Sequence, residues 1–329
     1  MWTFDPVLKE TIWGGHRIVR FKEGCGANLC TSPETEHPHI GESWEISDIP
    51  GFESVVSSGP DKGKTIRELL ARNGEAILGK RNFRRFGCSF PLLVKFIDAA
   101  QDLSVQVHPD NDTAKKFGFE RGKTEFWYTI SADKGSFLIN GLNCHLSEEE
   151  YQTLINSDAL LDKLNFIDVR EGDAFFIPPG RIHALGAGTF VCEIQESSDV
   201  TFRLFDYHRK GPDGRERELH STEALEAISR EPVSETRVKY LPMRNVPVTL
   251  VATPLFTTNL LHSDHEIIRD YSEWDTFVIL VATAGNATIK SADATIHLAQ
   301  GHSVLIPASA DNVTISPDGE FTALETYIK

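Results

Sequence analysis

In the stretch Leu103-Ser-Val-Gln-Val-His-Pro-Asp110, apolar and polar side chains take turns: Leu103, Val105 and Val107 against Ser104, Gln106 and His108. This is the period of a half-buried strand, and it puts Gln106 and His108 on one face. Such a pair gains meaning when other ligand-capable groups stand at strand-compatible positions. Two do: Glu125 in Gly122-Lys-Thr-Glu-Phe-Trp-Tyr128, and His183 in Ile177-Pro-Pro-Gly-Arg-Ile-His-Ala-Leu-Gly186. Together they offer two imidazoles, one carboxylate and one amide oxygen. That donor set suits a borderline divalent ion such as zinc, with a position left for water or substrate.

The rest of the chain reads as an ordinary soluble globular protein. Its 329 residues allow two domains, and 40% hydrophobic with 25% charged residues is typical of a water-soluble protein. No apolar run reaches membrane-spanning length. The start, Met1-Trp-Thr-Phe-Asp-Pro6, shows no basic region followed by an apolar stretch, so no secretory signal is expected and a cytoplasmic location is. The five cysteines (Cys25, Cys30, Cys88, Cys144 and Cys192) are odd in number and form no Cys-x-x-Cys pair, which fits free thiols and excludes a thiolate metal site. The net charge of −15 argues against nucleic acid or an anionic membrane as partner. A phosphorylated substrate would then need locally gathered positive charge, for which Lys95, Lys123 and Arg203 are candidates.

Along the chain, Gly41–Ser47 and Pro91–Ile97 read as strands. Thr65-Ile-Arg-Glu68 is a capping box for a helix that Asn73-Gly74 breaks, Ser147-Glu-Glu-Glu150 opens a second helix, and a third spans 221–230. From about Val246, short Thr/Val/Ile/Leu runs between turn residues predict a sandwich or jelly roll. The proline-bearing stretch 231–247 separates residues 1–237, a metal-binding domain with helical insertions, from 238–329, a smaller β domain. Val169–Pro178 and Leu298–Pro307 align as a faint internal repeat. The first continues to His183; the second has Asn312 at that offset, so only one copy keeps a ligand.

Four stretches in this order resemble the type I mannose-6-phosphate isomerases of the cupin superfamily, in their compact bacterial form: Phe90–Lys95, Ser104–Asp110, Gly122–Tyr128, and Ile177–His183 continuing to Ser198-Asp-Val-Thr-Phe-Arg203. The resemblance implies a mainly β protein: a cupin-like jelly-roll catalytic domain with inserted helices, plus a smaller, degenerate cupin-like β-sandwich covering an edge of the first or contacting another subunit. It implies one zinc per chain on Gln106, His108, Glu125 and His183. Arg203, Lys123, Glu193 and Asp199 would be catalytic, with Lys95 and Arg203 binding a small phosphorylated sugar, in a monomer or homodimer serving carbohydrate metabolism. Longer relatives carry His-Lys-Pro-Glu where this chain has Gly122-Lys123-Thr124-Glu125, so a proton-shuttling histidine at the first position cannot transfer.

Isomerisation of an aldose to a ketose moves a proton between C2 and C1 through an enediol; it needs an electrophile, a base near its working pKa and an anchor for the charged end. Each residue also has a plainer reading. His108 alone is a surface histidine before a turn, Glu125 with Lys123 an exposed ion pair, and His183 a loop histidine. Arg203 in Thr201-Phe-Arg-Leu-Phe205 pairs with Asp199 or Glu193, and Asp206 to Arg209 form a solvated turn. His37, His39, His262 and His265 belong to solvated loops. The base stays open among Glu193, Asp199 and Lys123. Two other functions use similar parts: an iron-dependent cupin oxygenase, which Gln106 in place of a third histidine disfavours, and a non-enzymatic sugar-binding cupin, which would not need Lys123, Glu193, Asp199 and Arg203 around the ion.

Overall fold

The structure is a computed structural model and describes residues 1–24, 39–211, 214–234 and 236–329. Cys25, Cys30 and His37 lie outside the described residues. The protein is mainly β, as the sequence predicts. Two sheets close on each other to form the first barrel. The larger has six strands in the order Ala174–Ile177, Glu125–Ala132, Thr189–Glu196, Leu92–Ala99, Val7–Gly15 and Ile40–Ile46. The smaller has five: Phe202–Phe205, Val105–Val107, His183–Leu185, Phe137–Leu142 and Leu164–Asp168.

Alternation along each strand sorts side chains between the barrel and its outside. Val94, Phe96, Phe126, Tyr128, Phe190, Cys192 and Ile194 leave the large sheet on its outer face and join one apolar cluster. Ile97, Trp127, Phe175 and Val191 point inward and meet Leu138 and Leu185 from the small sheet. On the small sheet's outer face, Val105, Val107, Ile139, Phe202 and Leu204 pack with Tyr151 and Ala224 of the helices Glu148–Leu154 and Ser221–Ala227. The large sheet is therefore buried on both faces, which is why Leu92–Ala99 has no exposed residue and reads as an apolar run interrupted by Lys95 and Asp98.

The capping boxes form as expected, Thr65 with Glu68 and Ser147 with Glu150. Asn73 breaks the helix within Ile66–Leu78 as expected, its non-helical backbone (φ −139°, ψ 33°) setting two helical segments at a kink. Gly74 is needed there for a different reason: a Cβ would lie 2.3 Å from the ring of Phe83, in the following helix Lys80–Phe86. The strands from Val248 onward form a five-stranded and a four-stranded sheet around their own core of Leu280, Ile289, Val304, Ile315 and Phe321. This unit does not merely cover an edge. Leu260, Ile279, Val281, Leu305 and Leu324 join the apolar cluster on the outer face of the large sheet. Asp275 also accepts hydrogen bonds from the backbone N–H of Lys80 (2.9 Å) and Arg81 (3.3 Å), capping a helix of the first unit. The repeated glycines Gly172 and Gly301 adopt matching left-handed turns (φ +81° and +75°) before the strands Ala174–Ile177 and Ser303–Ile306. Among the described residues, no helix is long and apolar enough to cross a membrane.

Candidate metal centre

Strand register builds the site as two facing rows. In the small sheet Gln106 sits opposite both His183 and Arg203. In the large sheet Glu193 sits opposite both Lys95 and Trp127. Glu125 starts the strand that carries Trp127, and His108 follows the strand that carries Gln106. The four predicted ligands thus come from both sheets and meet inside the barrel.

Their spacing matches one small ion. His108 Nε2 and His183 Nε2 are 3.2 Å apart, and Glu125 Oε1 and Oε2 lie 3.2 Å and 3.3 Å from them. The Gln106 amide is 3.3 Å from His183 Nε2, and a half-turn of the amide sets its oxygen at that point. A tetrahedron with metal–ligand bonds of about 2.0–2.1 Å has edges of roughly 3.3–3.4 Å. The buried carboxylate, at 0% exposure, accepts no well-aligned hydrogen bond from the described residues, although Lys123 Nζ stands 2.6 Å from Oε1. Lys123 offsets part of the cost of burying this carboxylate, and an ion bound between it and the imidazoles would offset more.

The imidazoles are set up as neutral ligands. Burial, with the Lys123 charge next, pushes the His108 pKa down to about 3, and burial likewise lowers that of His183. His183 Nδ1 donates to the Arg181 carbonyl at 2.8 Å, which leaves the Nε2 lone pair free for an ion. The exposed ion pair and the loop histidine of the plainer readings are therefore both wrong: Lys123, Glu125, His108 and His183 are all buried. Gly122 explains the departure from the longer sequences. A Cβ there would come within 2.4 Å of Asp110 C and 2.5 Å of Pro109 O, so this backbone has no room for a side chain.

A cleft beside the four ligands gathers the remaining predicted residues: Lys95, Lys123, Glu193, Asp199 and Arg203 all line it. Lys95 Nζ lies between Glu42 (3.4 Å) and Glu193 (3.5 Å). Burial disfavours its charge, but those two carboxylates more than compensate and raise its pKa. Glu193 accepts from Trp127 Nε1 at 2.7 Å, while its other oxygen is buried with no hydrogen bond. Burial first, then the Glu125 charge, raise its pKa to about 7, against the pull of Lys123 and Lys95. Asp199 is half exposed and pairs with Lys9 at 4.0 Å. Arg203 pairs with neither Asp199 nor Glu193; it donates to Ser104 Oγ (3.3 Å) and the Glu218 carbonyl (2.7 Å).

Sequence reading missed Glu42, Trp13 and Arg217, which also line the cleft. It misread Asp206 as part of a solvated turn. Asp206 is 5% exposed and takes Arg217 Nε at 2.7 Å and Nη2 at 2.6 Å, with Arg209 at 3.1 Å. His262 is not on a loop but within the strand Thr257–Ser263, whereas His39 and His265 are exposed as expected.

Known proteins resemble this arrangement throughout. Residues 1–139 match the family described as phosphomannose isomerase type I, catalytic domain. The mannose-6-phosphate isomerase of Streptococcus mutans is 37% identical over 251 residues, covering 76% of this chain and 75% of that protein. A mannose-6-phosphate isomerase of Bacillus subtilis is 38% identical over 233 residues, or 70% and 69% of the two chains. A crystal structure of the mannose 6-phosphate isomerase from Bacillus subtilis superposes with a TM-score of 0.81 at 31% identity, over 99% of both chains.

Proposed function

We propose, for a chain that belongs to the type I phosphomannose isomerase family, a zinc-dependent interconversion of mannose 6-phosphate and fructose 6-phosphate through an enediol. The observation that carries the metal reading is the tetrahedral-edge spacing of the donor groups of Gln106, His108, Glu125 and His183, all buried within the barrel. A zinc ion bound there supplies Lewis acidity for the sugar's carbonyl and hydroxyl oxygens, and one carboxylate among neutral ligands leaves the centre positive.

The chain's own groups divide the rest of the work. Glu193 carries the proton between C2 and C1. It is buried, one oxygen is unbonded, and its raised pKa lets it exchange a proton near neutrality. Trp127 holds the other oxygen and so fixes the direction of the carboxylate. Lys95, kept as an ammonium by Glu42 and Glu193, donates to a sugar oxygen beside the reacting carbons. Lys123 is committed to Glu125 and serves as a fixed positive charge rather than a base. Arg203 steadies negative charge at the open end of the cleft. Asp199, half exposed, orders the cleft's rim together with Lys9.

The test is a coupled isomerase assay on the purified protein before and after chelation, with zinc added back. Activity lost on chelation and restored by zinc is expected; full turnover in metal-free protein would remove the metal from the reaction. Oxygen uptake, the mark of an iron-dependent oxygenase, is expected to be absent.

A further inference from the structure

Charge is distributed unevenly along the cleft. Its deep end holds Lys95 and Lys123, each answered by carboxylates: Glu42 and Glu193 for the first, Glu125 for the second. Its outer end holds two guanidiniums, Arg203 and Arg217, with Arg209, Asp206 and Glu218 close by. Arg217 is not needed to neutralise Asp206, because Arg209 already reaches that carboxylate at 3.1 Å. Yet Asp206 grips Arg217 through Nε and Nη2, a two-point hold that fixes the plane of the group and leaves Nη1 without a hydrogen-bond partner among the described residues. Arg203 is tied through Nε and Nη1 and likewise keeps Nη2 unclaimed. Both arginines line the same cleft. The side chain of Arg217 is 27% exposed and that of Lys95 only 4%, which puts the guanidiniums at the mouth.

The backbone beside this clamp is strained. Tyr207 and His208, directly after Asp206, adopt left-handed conformations in succession, at φ 54° and 53°. Non-glycine residues seldom do so, and when they do the surroundings hold them there, commonly beside a functional group. Beside this strained pair Asp206 is buried and meets Arg217, eleven positions further along the chain.

We propose that Arg217, oriented by Asp206, receives the substrate's phosphate group jointly with Arg203 and sets the preference for a phosphorylated over a free sugar. The inference rests on the isomerase reading and deepens it. A phosphate dianion matches two neighbouring guanidinium edges, each able to donate in a plane. With the phosphate at the mouth, the other end of the sugar reaches the paired charges and the metal ligands. Arg217 is a specificity-determining residue on this view, and Asp206 a positioning residue.

The experiment measures kcat and KM of the metal-loaded full chain for mannose 6-phosphate and for mannose, with inorganic phosphate as competitive inhibitor. In Arg217→Ala, KM for mannose 6-phosphate should rise roughly 10- to 100-fold, as for loss of one charge-assisted contact. The preference for the phosphorylated sugar should fall, and the inhibition constant of phosphate should rise, by a similar factor. Arg217→Lys should recover part of the loss, and Asp206→Asn should raise KM more than it lowers kcat. An unchanged preference and an unchanged phosphate constant in Arg217→Ala would overturn the assignment, as would equal losses on both sugars. If the wild type does not turn over mannose 6-phosphate, the isomerase reading itself fails. Calorimetric binding of inorganic phosphate to the wild type and Arg217→Ala then decides the Arg217 assignment separately, equal affinities refuting it.

Discussion

Replacing Trp127 by Phe removes one donor from the proposed proton carrier and little else. The indole N–H lies 2.7 Å from Glu193 Oε2, and both residues are 2% exposed. A phenyl ring keeps the edge contact with His183, whose ring centroid is 5.4 Å away. A buried hydrogen bond to a charged group contributes about 1.5–3 kcal/mol, and 1.36 kcal/mol corresponds to about one pKa unit. The N–H favours the carboxylate over the acid, so its loss raises the Glu193 pKa further, by roughly 1–2 units. The acid limb of kcat/KM, where Glu193 must be ionised to accept a proton, should move to higher pH by that amount. Coupled assays from about pH 5 to pH 9, with zinc content checked in each preparation, measure it. Because the quantity is a difference between variant and wild type, it does not depend on where the limb starts. A limb that stays in place would mean that Glu193 is not the group titrating in catalysis.

Other outcomes test separate parts of the structure. His183→Ala should lose bound zinc and isomerase activity while keeping its far-ultraviolet circular dichroism; retained stoichiometric zinc would remove His183 from the ligand set. Arg203→Ala should keep zinc but lose about 10²–10³-fold in kcat/KM, and unchanged kinetics would exclude it from the site. Gly79 joins the helices Ile66–Leu78 and Lys80–Phe86 at φ +87°, and a Cβ there would lie 2.0 Å from Asp275 O. Gly79→Ala should therefore destabilise the protein by about 2–4 kcal/mol, read as a lowered denaturant midpoint; an unshifted midpoint would show that the contact yields without cost.

The residues proposed as metal ligands could be picked out in the sequence because Gln106, His108 and Glu125 stand at strand-compatible positions. Gln106 and His108 alternate with buried valines, and Glu125 leads a strand in which Trp127 shares its face. The mainly β architecture was legible for the same reason, through short apolar runs between turns. Sheet order was not. The strand Leu92–Ala99 pairs with Thr189–Glu196 and Ile40–Ile46, partners far away in the chain, and nothing local specifies them. Glu42 lies in a stretch rightly read as a strand, but which of its faces meets the cleft follows only from that pairing. Arg217 belongs to a polar loop without periodicity, and its partner Asp206 turns inward through two left-handed residues that no residue pattern announces. The break at Asn73 was legible, but the helical segment that resumes after it was not: Gly74 packs against Phe83, which belongs to the next helix.

Three of the four ligands belong to one leaf of the barrel and Glu125 to the other. On the proposed reading, an ion seated among them would act as a rivet between the two walls, adding to the turns and the Lys123–Pro109 backbone hydrogen bond that already join them. Nascent chain offers no such seat, since residues 106 and 183 become neighbours only when their strands zip together. On the proposed metal reading, capture of the cation would be a late event in maturation, and starving the protein of metal should slacken the rim of the barrel before it disturbs the outer layers.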